Sequence, residues 1–485
     1  MTALVLPLCL VLAWADPPPQ QPSQPANAPT DVVAALETAI SDAIGKAEPS
    51  VVAISRDKGE NTQVTQAVRG RKRPLSLHEP PRRLPFDPRF PRAPERPNLF
   101  SFDFGSGVVI GTEGQILTAY HVVKGARQLT VRAADRQEFE AEIIAADPRS
   151  DLAVIVPSEN DGGDPPKLKP IAIGDAGPLR KGAFLIALGN SFNAARDGKP
   201  SASWGILSNV ARKLDADLDE INIRGRQPRL ANFPTLLQLD SKLNLGMSGG
   251  AVINLKGELV GLTTMASSPE GFDAMAGYAI PMDKMGRRNV ETLKEGKEIE
   301  YGLLGVQADD AKTNRVRDVQ PNSPANLGDL QKDDEIIAVN DVRVYDFDTL
   351  VLAINSYCAG DTVRLKIRRG EETINRSIVL AKVAVAGEII ATNRPKPWRG
   401  HRVDYTSAIS SVTFGPNFLE SALAGVVVAE VEEGSPAAAA GIKKGQLIRK
   451  VGDQSVRSPR DFAQAIATLN GPVTLHTDLG IVTIE

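Results

Sequence analysis

Three side chains in this sequence have the types and settings that nucleophilic catalysis requires. His121 lies in Thr118-Ala119-Tyr120-His121-Val122-Val123, and Asp151 in Asp147-Pro148-Arg149-Ser150-Asp151-Leu152-Ala153. Ser248 lies in Gly246-Met247-Ser248-Gly249-Gly250. A serine hydroxyl is a poor nucleophile at neutral pH. It needs an imidazole to accept its proton and a carboxylate to hold that imidazole in the right tautomer. Glycines around the serine let the backbone turn sharply, so that amide N–H groups converge on a developing oxyanion.

The elements around these residues suit that task. Gly105–Ile110 and Gln115–Ala119 are two apolar runs, the second ending just before His121. They read as two strands of a β-barrel that deliver a histidine to the rim. Asp151 opens the strand-like run Leu152–Val156, and Ser248 comes just before Ala251–Asn254. The other histidines, His78, His401 and His476, have no such setting. The chain order His, Asp, Ser is that of the chymotrypsin-like arrangement and differs from the orders of subtilisins and α/β-hydrolases. This points to a serine endopeptidase.

Residues from about Pro49 to Met285 resemble the protease domain of the HtrA (Deg) family, trypsin-fold serine proteases with C-terminal PDZ domains. The likeness rests on Gly105–Ile110, Thr118–Val123, Asp147–Ile155, Ala187–Asn190, Asp240–Gly250, Gly257–Gly261 and Gly277–Pro281. It implies a mainly β fold: a two-barrel, trypsin-like protease domain followed by two α+β PDZ domains. It also implies His121 as general base, Asp151 as its orienter and Ser248 as nucleophile. The oxyanion loop would be Gly246, Met247 and Ser248, with the amides of Gly246 and Ser248 as donors. The chain departs from the family at Met247, where Asn is usual, and at Lys242, where a small residue is common beside the specificity pocket. Met247 leaves a second reading open, a catalytically impaired chaperone or PDZ scaffold.

Length and composition set the frame. A chain of 485 residues accommodates about three domains. Net charge −3 and 5% aromatics exclude a general attraction to nucleic acid and a base-stacking surface. The apolar stretch within Met1–Ala15 ends in Ala13-Trp14-Ala15 and reads as a signal peptide, too short to span a bilayer. Cleavage there would leave Cys358 as the only cysteine, an apolar filler with no disulfide partner. The expectation is an exported, periplasmic or otherwise extracytoplasmic protein with no integral membrane span after cleavage. His, Cys and carboxylate side chains show no metal-ligand spacing, and no cofactor motif is present.

Residues 16–30 are a Pro- and Gln-rich leader, and Asp31–Ala47 has helical spacing. The protease domain is expected over 31–296, interrupted by a Pro- and Arg-rich loop at 68–99. Eight prolines between Arg69 and Pro97 remove backbone donors and fix φ, which excludes helix and sheet there. That loop is open to three readings: a solvated flexible loop, a contact to another subunit's active site, or binding to nucleic acid or an anionic surface. Arg212–Arg229 is an insertion with no assigned role.

The C-terminal third repeats itself at a displacement of 112 residues: Val319-Gln320-Pro321-Asn322-Ser323-Pro324-Ala325 recurs as Val431-Glu432-Glu433-Gly434-Ser435-Pro436-Ala437. Each copy resembles a PDZ domain of the permuted bacterial type, at 299–384 and 398–485. Such domains take a peptide as an added strand and hold its C-terminal carboxylate on backbone N–H groups. In the first copy Leu303, Leu304, Gly305 and Val306 fit the carboxylate loop. In the second, Val403 is expected in the place of Gly305. The partners implied are unfolded proteins or peptides, C-terminal peptides at the PDZ domains, and further copies of the chain in trimers or multiples of trimers.

Overall fold

The apolar runs of the first 280 residues close into two antiparallel barrels. In this computed structural model residues 29–57, 104–159, 165–193, 197–212, 235–267, 276–308, 312–385, 387–408 and 425–485 are described. The expected signal peptide, nearly all of the leader, the Pro- and Arg-rich loop and positions 213–229 of the insertion lie outside the described residues.

The first barrel is made of β1 (Val51–Asp57), β2 (Phe104–Val109), β3 (Ile116–Ala119), β4 (Gln128–Arg132), β5 (Glu138–Asp147) and β6 (Leu152–Pro157). Its order is β5-β4-β1-β2-β3-β6, and β6 pairs back onto β5. The second comprises β7 (Phe184–Gly189), β8 (Ser201–Arg212), β9 (Leu236–Leu239), β10 (Ala251–Ile253), β11 (Leu259–Ser267) and β12 (Ala276–Pro281), closed in the order β10-β11-β12-β9-β8-β7. Closure pairs every strand of each barrel with two neighbours, and the end of β5 beyond its pairing with β4 is left for a later strand. Ile54, Ile116, Val131 and Ile155 fill the first, and Leu185, Leu207, Leu239 and Val260 the second. Val108, Leu117, Val154, Ile186, Leu188 and Leu262 form the shared core that holds the barrels together.

Two helices seal that shared core. Pro29–Ala47 begins two residues before the sequence expectation and packs Ile40, Ala43, Ile44 and Ala47 against it. Lys284–Lys294, capped by the Asp283 carboxylate on the Gly286 N–H, adds Val290 and Leu293. Apolar residues at helical spacing thus meet one surface, each buried large side chain contributing about 1.5–3 kcal/mol.

The first PDZ repeat runs through β13 (Gly302–Leu303), β14 (Val306–Ala308), β15 (Val316–Val319), β16 (Glu335–Val339), β17 (Val342–Arg343), β18 (Thr362–Arg369), β19 (Glu372–Val379) and β20 (Ala381–Lys382). Its helices are Pro324–Leu327 and Phe347–Asn355, the second opened by an Asp346–Thr349 capping box. A linker strand, β21 (Ile390–Ala391), leaves the repeat and pairs with Ala145 and Ala146 of β5. The second repeat contains β22 (His401–Tyr405), β23 (Val426–Val431), β24 (Leu447–Val451), β25 (Gln454–Ser455), β26 (Val473–Thr477) and β27 (Gly480–Ile484), with helices Pro436–Ala439 and Pro459–Ile466.

The structure corrects the expected match between the two carboxylate loops. Gly305 accepts the Gln320 N–H, and Leu304 accepts that of Ala325. In the second repeat Gly400 accepts the Glu432 N–H, and Arg399 accepts that of Ala437. Gly305 and Gly400 both have positive φ, +86° and +84°, and a Cβ on either would overlap the following N-cap serine, Ser323 or Ser435. The counterpart of Gly305 is therefore Gly400, not Val403. The expected counterpart, Val403, lies three residues beyond the observed one.

The first repeat is tied to the protease domain by a residue it shares with it. Tyr301 is buried in the protease core, and its hydroxyl donates to Asp147 at 2.5 Å. The Arg149 guanidinium stacks 4.5 Å over the Tyr301 ring and donates to Asn355 Oδ1 at 3.0 Å.

Candidate active site

His121 leaves β3 on a single helical turn, Tyr120–Val123. Its main-chain carbonyl accepts Arg56 Nη1 from β1 at 3.0 Å, which anchors the end of that turn. Asp151 stands at the tight connection from β5 to β6 with φ +52°, a conformation that non-glycine residues seldom adopt. The connection is tied by the Ser150 N–H on Asp147 Oδ2 at 2.8 Å and by the Tyr120 N–H on the Asp151 carbonyl at 2.8 Å. Strand pairing of Ala119 with Leu152 sets the two loops side by side.

The Asp151 carboxylate takes three hydrogen bonds. Oδ1 accepts the His121 N–H at 2.9 Å; Oδ2 lies 2.7 Å from His121 Nδ1 and accepts the Thr264 hydroxyl at 2.7 Å. Burial pushes this carboxyl upward, but the His121 charge and the bonds from His121 and Thr264 outweigh it and hold it below the usual carboxylate range. An ionised Asp151 keeps the proton on Nδ1, which leaves Nε2 as the proton-accepting nitrogen of a partly buried ring.

Ser248 reaches the site from the second barrel. Its hydroxyl donates to the Thr264 carbonyl at 2.5 Å and makes no hydrogen bond to His121. Thr264 of β11 thus serves both partners, its side chain on Asp151 and its backbone on Ser248. Of the three residues marked in the sequence, the structure pairs two directly and joins the third through Thr264.

The loop before Ser248 is fixed along its length. Gly246 has φ +90°, where a Cβ would run into the Asn190 carbonyl and the Phe104 ring. The Gly246 carbonyl accepts the Ser106 hydroxyl at 2.7 Å, and the Met247 N–H turns to the Asn244 carbonyl at 3.1 Å. Met247 is fully buried against Ala187 and Leu243, and its sulfur accepts the Asn244 N–H at 3.3 Å. The side chain that departs from the family pattern therefore still supplies an acceptor to its own loop. The Met247 carbonyl takes the Gly250 N–H at 2.9 Å and the Thr263 hydroxyl. Among the described residues no acceptor meets the N–H of Gly246 or of Ser248. Lys242 is exposed.

Sequence reading missed Thr264, Thr263 and Ser106. A signal existed for the first two: adjacent hydroxyl residues inside the apolar strand Leu259–Ser267 are polar groups that burial obliges to find partners. In the first PDZ repeat Leu304 points into the core, so only its backbone faces the loop, while Leu303 and Val306 are partly buried. No group of three metal-ligating side chains occurs among the described residues.

Comparison with known proteins agrees with this architecture. Residues 105–262 match the trypsin-like peptidase domain, and residues 302–380 and 427–476 match PDZ domains. The periplasmic pH-dependent serine endoprotease DegQ of Escherichia coli (strain K12) is 30% identical over 79% of this chain and 80% of its own. The periplasmic serine endoprotease DegP of the same organism is 27% identical over 78% of this chain and 75% of its own. A solved HtrA-type protease, AlgW with tripeptide, aligns with 74% of this chain and 98% of its own at a TM-score of 0.50 and 22% identity, a likeness of fold. Fold and matched domains together define a trypsin-like serine endopeptidase that carries two PDZ domains. The chain belongs to the HtrA (Deg) family of these enzymes.

Proposed function

We propose that this protein is an exported, periplasmic, ATP-independent endopeptidase for unfolded or damaged proteins, with His121, Asp151 and Ser248 as its catalytic residues. The observation that carries the assignment is the convergence of Asp151 and Ser248 on Thr264 while Asp151 holds His121 Nδ1. On substrate binding the Ser248 hydroxyl leaves the Thr264 carbonyl and gives its proton to His121 Nε2 as Oγ attacks the peptide carbonyl. The imidazolium so formed is stabilised by Asp151, which stays ionised. The carbonyl oxygen, now negative, is taken by the N–H groups of Gly246 and Ser248. His121 then protonates the leaving amine, and water enters by the same route in reverse to free the acyl group.

The first PDZ repeat docks hydrophobic C-terminal peptides as a strand beside β14, with the Leu303–Val306 backbone around the carboxylate. Assembly through trimers is supported by Phe184 and Trp204, exposed side by side on β7 and β8 with ring centroids 5.7 Å apart. Such a pair is an apolar face that a second copy would cover. Export is supported by the apolar stretch in Met1–Ala15 and by the periplasmic names of the relatives.

The test uses the full chain. A fluorophosphonate probe should label Ser248, and unfolded casein should be cut without nucleotide. Ser248→Ala should abolish both and still bind the substrate. A folded wild-type protein that neither reacts nor cuts, with or without C-terminal peptides, would return the scaffold reading.

A further inference from the structure

Ser106 has no part in the chemistry above, yet it touches the oxyanion loop at both ends. It is fully buried in β2 of the first barrel, between Gly105 and Gly107. Its hydroxyl accepts the Asn190 N–H at 2.7 Å and donates to the Gly246 carbonyl at 2.7 Å. Its main-chain N–H donates to the Ser248 carbonyl at 2.8 Å, and its own carbonyl accepts the Thr118 hydroxyl at 2.6 Å. Asn190 and Gly246 belong to the second barrel, so one residue of the first braces the loop from across the interface.

A hydroxyl rotor is free unless a donor fixes its lone pairs. Here the Asn190 N–H takes one lone pair, and the proton is directed to the acceptor it meets, the Gly246 carbonyl. With the Gly246 carbonyl held there and the Met247 N–H held by the Asn244 carbonyl, the plane of the Gly246–Met247 peptide is fixed at both of its polar ends. The flanking peptides carry the N–H groups of Gly246 and Ser248. Neither can turn while the peptide between them is clamped and the Ser248 carbonyl is held by the same residue.

We propose that Ser106 is a positioning residue for the oxyanion site, clamping the Gly246–Ser248 loop so that both of its donors face the reacting carbonyl. The inference rests on the catalytic assignment above. Ser106 acts through the backbone of Gly246, so its loss should fall on the transition state and leave ground-state binding in place.

The test is Ser106→Ala in the full chain, with its thermal midpoint recorded to establish that it folds. Probe labelling of Ser248 and kcat should fall by about tenfold to a hundredfold, below the full loss of an oxyanion donor, with KM within about twofold of wild type. A peptide boronate, which becomes tetrahedral on Ser248, should bind more weakly by the same factor. Substrate binding to Ser106→Ala/Ser248→Ala should equal that of Ser248→Ala. An unchanged kcat, or equal losses in boronate and substrate binding, would overturn the proposal. If the wild-type protein itself takes no label, the failure lies with the catalytic assignment and not with Ser106.

Discussion

In the first PDZ repeat Gly305 passes the chain into β14 and its loop neighbours are Leu303, Leu304 and Val306; in the second, Gly400 passes it into β22 and the matching positions are Trp398, Arg399 and His401. The frame is the same in both: a glycine of positive φ pressed on an N-cap serine, and a short helix started by that serine. The contents differ. Trp398 and His401 exchange backbone hydrogen bonds of 2.9 and 3.0 Å across a two-residue turn, whereas Leu303 and Val306 make no such exchange. The rings of Trp398, His401 and Phe462 pack edge to face at 5.5–5.9 Å, and Arg399 stacks on Trp398 while donating to the Gly471 and Ile484 carbonyls. The loop backbone proposed to hold a terminal carboxylate in the first copy is, in the second, engaged with its own side chains and its own amides. A duplicated fold keeps its frame by steric need, while its capacity to bind is decided by a few loop residues.

The largest effect is expected from glycine replacement. Gly305→Val should destabilise the first repeat by on the order of 3 kcal/mol and abolish binding of a hydrophobic C-terminal peptide. Gly400→Val should destabilise the second repeat as much and leave the affinity and the stoichiometry of one peptide per chain untouched by calorimetry. A binding loss in Gly400→Val would break the distinction.

Acid comes next. His401 is buried with neither ring nitrogen bonded among the described residues, and burial pushes it down to about 4. The unfolded chain takes up this proton first, near pH 6.5. Stability of the second repeat is therefore complete above that pH and falls by roughly 3 kcal/mol as the pH drops toward 4. Urea titrations across this range should show the loss, and His401→Phe should remove it.

Arg399→Ala should cost about 2 kcal/mol in the same repeat, through two lost carbonyl bonds and the lost stacking, with peptide binding unchanged. The smallest effect should come from Ser323→Ala and Ser435→Ala, about 1 kcal/mol each by thermal denaturation. Near-equal costs would confirm the common frame, and a cost in only one copy would refute it.

Much of this was legible in the sequence. His121, Asp151 and Ser248 stood out because each sits at the end of an apolar run, and the glycines around Ser248 mark the loop. The repeat was legible through its Ser-Pro helix starts. Thr264 showed only as a polar residue in an apolar strand, without its partners, the Asp151 carboxylate and the Ser248 hydroxyl. Ser106 was not legible, because the Asn190 N–H and the Gly246 carbonyl that it meets are backbone groups of the other barrel. The slip at Gly400 has another cause. The first copy has two glycines three residues apart, Gly302 and Gly305, and the second has only Gly400 in this stretch, so the sequence does not say which of the two it matches.

Tyr301 shows where the seams of this molecule lie. Its backbone belongs to the start of the first PDZ repeat, where the Gly302 N–H and the Val383 N–H find their partners, while its ring fills the protease core and its hydroxyl caps the turn that presents Asp151. Farther along, Ile390 and Ala391 lie as a seventh strand on the same β5 whose end bears Asp147. A fragment trimmed at the PDZ boundary would lose a keystone and expose a sheet edge together, so its activity would report the damage of cutting as much as the independence of the part.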